Sequence, residues 1–131
     1  HRSGRCGAMT VPAGKIKKMA ESVRRREHER QAAVSVRVES AMAEVDRLVG
    51  EFRALDPAIE KIVLFGSLAR KDAASLGFDI DLAVSCSKEK YLSIVALALD
   101  SPFRVDVVDL ATADDMIKVS IARDGVVLYE K

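Results

Sequence analysis

Residues 61–85 read KIVLFGSLARKDAASLGFDIDLAVS, and the two apolar runs in this stretch set the terms for the whole chain. The first, Ile62 to Phe65, stops at Gly66-Ser67, and the second begins inside Asp79-Ile80-Asp81. Strand side chains alternate faces at about 3.3 Å per residue. Asp79 and Asp81 are therefore expected on one face with Cα atoms roughly 6.6 Å apart, and Ile80, Leu82 and Val84 on the other. Two parallel carboxylates repel, and an oxygen-seeking divalent cation such as Mg²⁺, shared with substrate phosphates, offsets that repulsion. Gly66-Ser67 supplies the complement: a strand that ends in Gly before a Ser able to cap a helix presents free backbone N–H groups to an anion. Phosphate cradle and carboxylates belong to one site.

Between the runs, Ser67 to Ala74 reads as a helical turn or short helix with Ser67 at its N-cap. Arg70 lies one turn along the same face, where its guanidinium can reach a phosphate held at the helix start. Lys71 and Asp72 are assigned to solvent, and residues 73–78 to a loop that Gly77 loosens. Beyond the second strand, Ser87 is placed as the cap of a helix running to Asp100, with Tyr91, Val95 and Leu99 on a stripe that Ile94 and Leu97 widen, read as core. Pro102 breaks it, and Phe103 to Leu110 forms a third strand. Parity separates its two acids. Asp106 shares a face with Arg104 and Val108, and Asp109 with Val105 and Val107, so only one of them can join the Asp79–Asp81 face. Thr112 and Asp115 form a T-x-x-D that reads as a capping box opening a last helix to about Arg123; Asp124-Gly125 ends it, and Val126 to Tyr129 forms a short final strand.

Upstream, residues 15–55 hold no Gly or Pro before Gly50, and Val38, Ala41, Val45, Leu48, Phe52 and Leu55 recur at threes and fours. That is one helical stripe, expected to lie on the sheet or to pair with another helix, a homo-oligomer through this segment included. The run RRREHERQ, 24–31, has no apolar face and reads as solvated, His28 with it. Asp56-Pro57 ends the helix, because the residue before Pro avoids the helical region. Residues 1–14 show no periodicity and are read as a disordered or tag-derived tail. The expected organisation is thus a tail over 1–14, a helical segment over 15–55 and a catalytic domain over 56–131.

The net charge of +1 conceals an asymmetry: residues 1–31 hold nine Lys or Arg against three Glu, and the remaining hundred hold twelve basic against seventeen acidic residues. An acidic body does not attract a nucleoside triphosphate by its overall field, so bound cations and local donors must do it. Two cysteines, Cys6 and Cys86, are too few for a disulfide framework or a zinc site. No apolar run approaches the ~20 residues of a membrane span and no signal-peptide core is seen, so a cytoplasmic location and no membrane partner are expected.

Gly66-Ser67, Arg70, Asp79-x-Asp81 and Asp106 in RVDVVDL together resemble the signature of the DNA polymerase β-like nucleotidyltransferases, and of the minimal nucleotidyltransferases in particular. The resemblance runs from about Ile59 to Glu130 and includes the closing DGVVLYE. Eleven residues separate Ser67 from Asp79, one more than is usual, and Phe78 stands where the family has a small polar residue. The resemblance selects Asp106 over Asp109 as the third carboxylate, leaving Asp109 as a turn residue. It implies catalysis and metal binding by Asp79, Asp81 and Asp106 with two Mg²⁺ ions, or Mn²⁺, and nucleotide binding by Gly66, Ser67 and Arg70. It further implies transfer of a nucleoside monophosphate, AMP from ATP, to a hydroxyl on a partner protein, since many minimal nucleotidyltransferases are antitoxins paired with a HEPN-type toxin. Two rival readings stand beside it, a catalytically silent binding-only antitoxin and a nucleic-acid-binding module using the basic first 31 residues.

The fold expected is α/β (α+β): a small mixed sheet with helices on one face, the carboxylate face open as a cleft, and a long N-terminal helix.

Overall fold

The computed structural model describes residues 13–70 and 78–131, with side chains from Ile16 onward in the first helix. The tail over 1–12, the helix continuation to Ala74, the solvent placement of Lys71 and Asp72, the loop over 73–77 and Cys6 lie outside the described residues. Helix α1 (Ala13–Leu55) starts two residues ahead of the expected point and ends where Asp56-Pro57 predicts. Asp56 closes it, its amide donating to Phe52 O at 2.9 Å and its carboxylate accepting from Ala58 N at 3.0 Å. The chain divides into two compact units, His1–Ala33 and Val34–Lys131.

In the first unit the Arg24–Gln31 run is exposed throughout, His28 included, and Arg30 bonds Glu27 at 2.8 Å. Such exposed pairs add little stability. In the second unit the remainder of α1 buries the stripe read from the sequence: Ala41, Val45, Leu48 and Phe52 are fully buried, and Val38 and Leu55 partly so. Glu44 on the same helix is also buried. Arg47 grips it with two bonds of 2.7 Å and the Ser101 hydroxyl donates to it, and the guanidinium contact above all holds its carboxyl below the ordinary range.

The sheet holds four strands in the order β3-β2-β1-β4. β1 (Lys61–Phe65) runs antiparallel to β2 (Ile80–Ser85) and to β4 (Val126–Glu130). β3 (Val105–Asp109) runs parallel to β2, and the connection between them is helix α3 (Lys88–Leu99), as parallel neighbours require. Among the described residues two shorter helices remain, α2 (Gly66–Arg70) directly after β1 and α4 (Asp115–Asp124) before β4.

Alternation divides the strands between two cores. Ile62, Leu64, Ile80, Leu82, Val84 and Val105 pack against the α1 stripe and against Ile94 and Ala98 of α3. Val63, Phe65 and Ala83 face the other way and meet Val108, Leu110, Ile117 and Ile121. The expectation of helices on one face is therefore corrected: α4 lies on the carboxylate face, because Ile117 and Ile121, four apart, bury against strand positions that alternation turns away from α1. In α3 the inward line is Ile94–Ala98, which leaves Leu99 76% exposed instead of in the core. The helix caps also differ from the sequence reading. Asp114, not Thr112, accepts from Ile117 N at 2.9 Å, while Thr112 N donates to Asp109 O in the preceding turn. Ser87 holds the N-cap position of α3 without a side-chain bond. Among the described residues no helix is long and apolar enough to cross a membrane.

Phe52 is the largest fully buried side chain, seated between α1 and the sheet. Truncation to Ala should remove about 3–5 kcal/mol of folding stability, read as a lowered urea midpoint with an unchanged slope.

Candidate functional site

Asp81 and Asp106 stand opposite one another on adjacent parallel strands. The pairing has a local cause. Ile80 and Leu82 are fully buried on the α1 side and Val105 is buried with them, so alternation turns Asp81 and Asp106 to the other face. Asp109, in register with Val84, shares the parity of Val105 and Val107 and is buried away from that face. Its carboxylate accepts from Ala111 N at 2.9 Å and its carbonyl from Thr112 N at 3.1 Å, so it is a turn residue, as expected once Asp106 is taken as the third carboxylate.

Gly66 follows β1, whose last residue, Phe65, pairs with Asp81. Its φ of +78° lies in the left-handed region that favours glycine. A Cβ there would collide with Asp81 Oδ2 and stand 3.1 Å from Asp81 Cγ. Glycine is thus required twice, by the turn and by the carboxylate pressed against it. Next in sequence, Ser67 is half-buried, and among the described residues its hydroxyl has no hydrogen-bond partner.

One cleft of about 950 Å³ gathers all six residues singled out from the sequence: Gly66, Ser67, Arg70, Asp79, Asp81 and Asp106. Burial first, then the neighbouring charges of Asp106 and Asp79, push the Asp81 carboxyl up to about 6, against the pull of Arg70. Two of the six engage other partners. The Arg70 guanidinium lies 3.8 Å from Asp124 Oδ2 at the end of α4, and Asp79 Oδ1 lies 3.9 Å from Arg104 Nε. Both contacts are long and partly solvated, so each adds little by itself. Among the described residues no three acidic, His or Cys side chains converge on a preformed metal cage.

The rest of the cleft wall was not read from the sequence as part of the site. α4 contributes Met116, Ile117 and Ser120, and α3 contributes Tyr91, Val95 and Leu99. The available signal was the four-residue spacing of Ile117 and Ile121, which marks an apolar helix face with Ser120 beside it but does not say which side of the sheet that face meets.

Residues 50–131 match the family described as "Polymerase beta, Nucleotidyltransferase". Comparison with curated proteins finds no match. Among solved structures, a crystal structure of a mutant toxin–antitoxin MntA–HpeT holds a chain 25% identical to this one over 69% of this chain and 72% of that chain, with a TM-score of 0.51. A second mutant form, with two aspartates changed to glutamate, matches at 25% identity over 66% and 73%, again with a TM-score of 0.51. A chain from Sulfolobus solfataricus described as a nucleotidyltransferase is 17% identical over 75% of this chain and 87% of that chain, and its TM-score of 0.54 reports the shared fold.

The upward shift of Asp81 makes a prediction with a definite sign. A carboxyl whose folded value, about 6, exceeds its ordinary 3.8 binds its proton more tightly when folded. The folded state therefore loses stability through this group as pH rises between those values. In buffer with EDTA, Asp81→Asn should melt above the parent chain at pH 7, and the difference should fade as pH falls toward 4. Calorimetric melting at a series of pH values checks both the sign and the window.

Proposed function

Because the chain belongs to the polymerase β nucleotidyltransferase family, we propose that it transfers AMP from ATP to a hydroxyl on a partner protein, and that this partner is a HEPN-type toxin to which the chain serves as antitoxin. The observation that carries the transfer reading is the in-register pairing of Asp81 with Asp106 beside Gly66, in the cleft that also takes in Ser67 and Arg70. The partner assignment is supported by the likeness to the toxin–antitoxin MntA–HpeT.

The donor set fits a hard divalent cation. Asp79, Asp81 and Asp106 offer oxygen alone and their mutual repulsion is part of what raises Asp81, a donor set that suits Mg²⁺, which completes its shell from substrate phosphates and water. Asp79, Asp81 and Asp106 would hold two Mg²⁺ ions, or Mn²⁺. When bound, such ions supply charge neutralisation for the triphosphate and the developing oxyanions.

The chain's own residues do the rest. Gly66 and Ser67 bind the phosphates that will leave, through backbone amides and the Ser67 hydroxyl. Arg70, at the rim, exchanges its loose contact with Asp124 for those phosphates, a bidentate partner that a guanidinium prefers. Asp106 accepts the proton of the attacking hydroxyl. The hydroxyl oxygen then bonds to the α-phosphorus, the bond from that phosphorus to the bridging oxygen breaks, and pyrophosphate departs with the electron pair. The lack of aromatic residues among the basic ones of residues 1–31 argues against stacking on single-stranded nucleic acid, and the complete set of three aspartates argues against a silent cleft.

Asp106→Asn should leave the fold and triphosphate affinity near the parent values and reduce transfer by about 10²–10⁴-fold, the range for loss of a general base. Asp109→Asn, whose side chain holds the turn at Ala111 N and faces away from Asp81 and Asp106, should lower stability and leave transfer per folded molecule unchanged. Labelled-nucleotide transfer measured on both variants under identical metal and ATP decides the matter. An inactive Asp109→Asn beside an active Asp106→Asn would contradict the proposal.

A further inference from the structure

Among the described residues β3 is an edge strand, paired with β2 alone. Two hydrogen bonds fix the direction of its backbone: Ile80 N donates to Arg104 O and Leu110 N to Val84 O, both at 2.9 Å. The N–H and C=O of one strand residue point to the same side, and successive residues alternate. Arg104, Asp106, Val108 and Leu110 therefore address β2, and Val105 and Val107 turn their polar groups outward. The Tyr91 hydroxyl confirms the direction by donating to Val107 O at 2.7 Å. Among the described residues nothing accepts from the outward amides of Val105 and Val107.

An edge of this kind is a template for another strand, and proteins usually blunt it with Lys, Pro or a bulge. Residues 105–108 carry none of these and their pairing with β2 is regular; the Tyr91 hydroxyl takes the outward carbonyl of Val107, so an added strand bonds through the N–H and C=O of Val105 and the N–H of Val107. The cleft bends around this edge: Val105 and Val107 line it together with Asp106 and Val108, although their side chains point to opposite faces. A second cavity of about 490 Å³ extends the groove toward Phe103 and Arg104 and shares Asp79, Leu99, Val105 and Asp106 with the first. The groove thus follows the strand past the carboxylates instead of stopping at them.

We propose that the acceptor hydroxyl is delivered by an extended polypeptide segment that adds to the sheet along β3, an inference that rests on the nucleotidyl-transfer reading above. A residue laid opposite Asp106 projects its side chain to the Asp106 face, with Cβ atoms about 4.5–5.5 Å apart. A Ser, Thr or Tyr at that place brings its hydroxyl to the carboxylate that takes its proton. Its neighbours on either side project to the opposite face, where Tyr91, Val95 and Leu99 line the groove. Leu99, 76% exposed, gains an apolar partner in this arrangement. The recognised class is an apolar–hydroxyl–apolar segment in extended conformation, read by main-chain bonds for affinity and by alternate side chains for specificity. A nucleic acid offers no such ladder, and its phosphates would face an acidic body.

The test uses the full chain, Mg²⁺, ATP and a fluorescein-labelled synthetic peptide centred on Val-Tyr-Val, together with two versions N-methylated on alternate residues of opposite parity. The peptide should accept AMP on its tyrosine. One methylated version should bind about tenfold or more weakly and the other near the parent affinity, because only one parity faces β3. Leu99→Ala, which removes the apolar contact without adding charge to the cleft, should weaken peptide binding severalfold. Equal effects of the two methylation patterns, or an unmodified peptide in a chain that binds metal and triphosphate, would overturn strand addition and leave the transfer reading standing. Transfer to added oligonucleotide instead of peptide would also overturn it. Failure to bind triphosphate at all would remove both.

Discussion

The mutual repulsion of carboxylates held on one face of the sheet is the constraint to which the rest of this structure answers. Asp81 and Asp106 have no freedom to separate, because the residues flanking them, Ile80, Leu82 and Val105, are buried on the far side. Burial and neighbouring charge raise the Asp81 carboxyl to about 6, a standing penalty for the empty folded chain at neutral pH. Gly66 adds to the confinement by admitting that carboxylate where any side chain would exclude it. Carboxylates confined in this way carry a repulsion that the proposed cation would relieve, and functional sites commonly trade stability for function.

Long helix and sheet supply the rigidity that keeps the acids together. The α1 stripe from Ala41 to Phe52 covers the face that Ile62, Leu64, Ile80, Leu82 and Val84 share, so one helix face locks β1 and β2 in place beneath the site. On the other face, Ile117 and Ile121 of α4 cover Val63, Phe65 and Ala83, carrying Ser120 to the cleft wall. Of the acids themselves, Asp106 stays exposed and Asp79 and Asp81 are half-buried. Chemistry and packing share β2 by parity, with Asp81 on one side and Ile80 and Leu82 on the other.

Parity and helical spacing are local properties, and what depends on them alone was legible in the sequence. The α1 stripe, the opposite faces of Asp106 and Asp109 and the Gly66 break all follow from which residues sit next to which, whereas the choice of Asp106 over Asp109 came from the family resemblance. What depends on distant pairing was not. Nothing in VVLYE announces that β4 lies antiparallel beside β1, and nothing in the 117–121 spacing says that α4 covers the carboxylate face. Choices between adjacent polar residues were also beyond local reading: Thr112 and Asp114 both precede the last helix, and backbone geometry gave the cap to Asp114. Leu99 looked like core because its spacing from Tyr91 and Val95 is helical, yet the inward line of α3 passes through Ile94 and Ala98.

The central claim is that one place in the molecule takes both the cation and the triphosphate. It is tested most directly by the amide spectrum of the isotope-labelled chain during titration with Mn²⁺ and a non-hydrolysable ATP analogue, since a paramagnetic ion broadens signals steeply with proximity. The account predicts that Gly66, Asp81 and Asp106 broaden first, that they do so far more strongly with the analogue present, and that Asp109 and Ser85 persist. Broadening centred on Asp109 or on Glu44, or a response to Mn²⁺ that the analogue leaves unchanged, would contradict it.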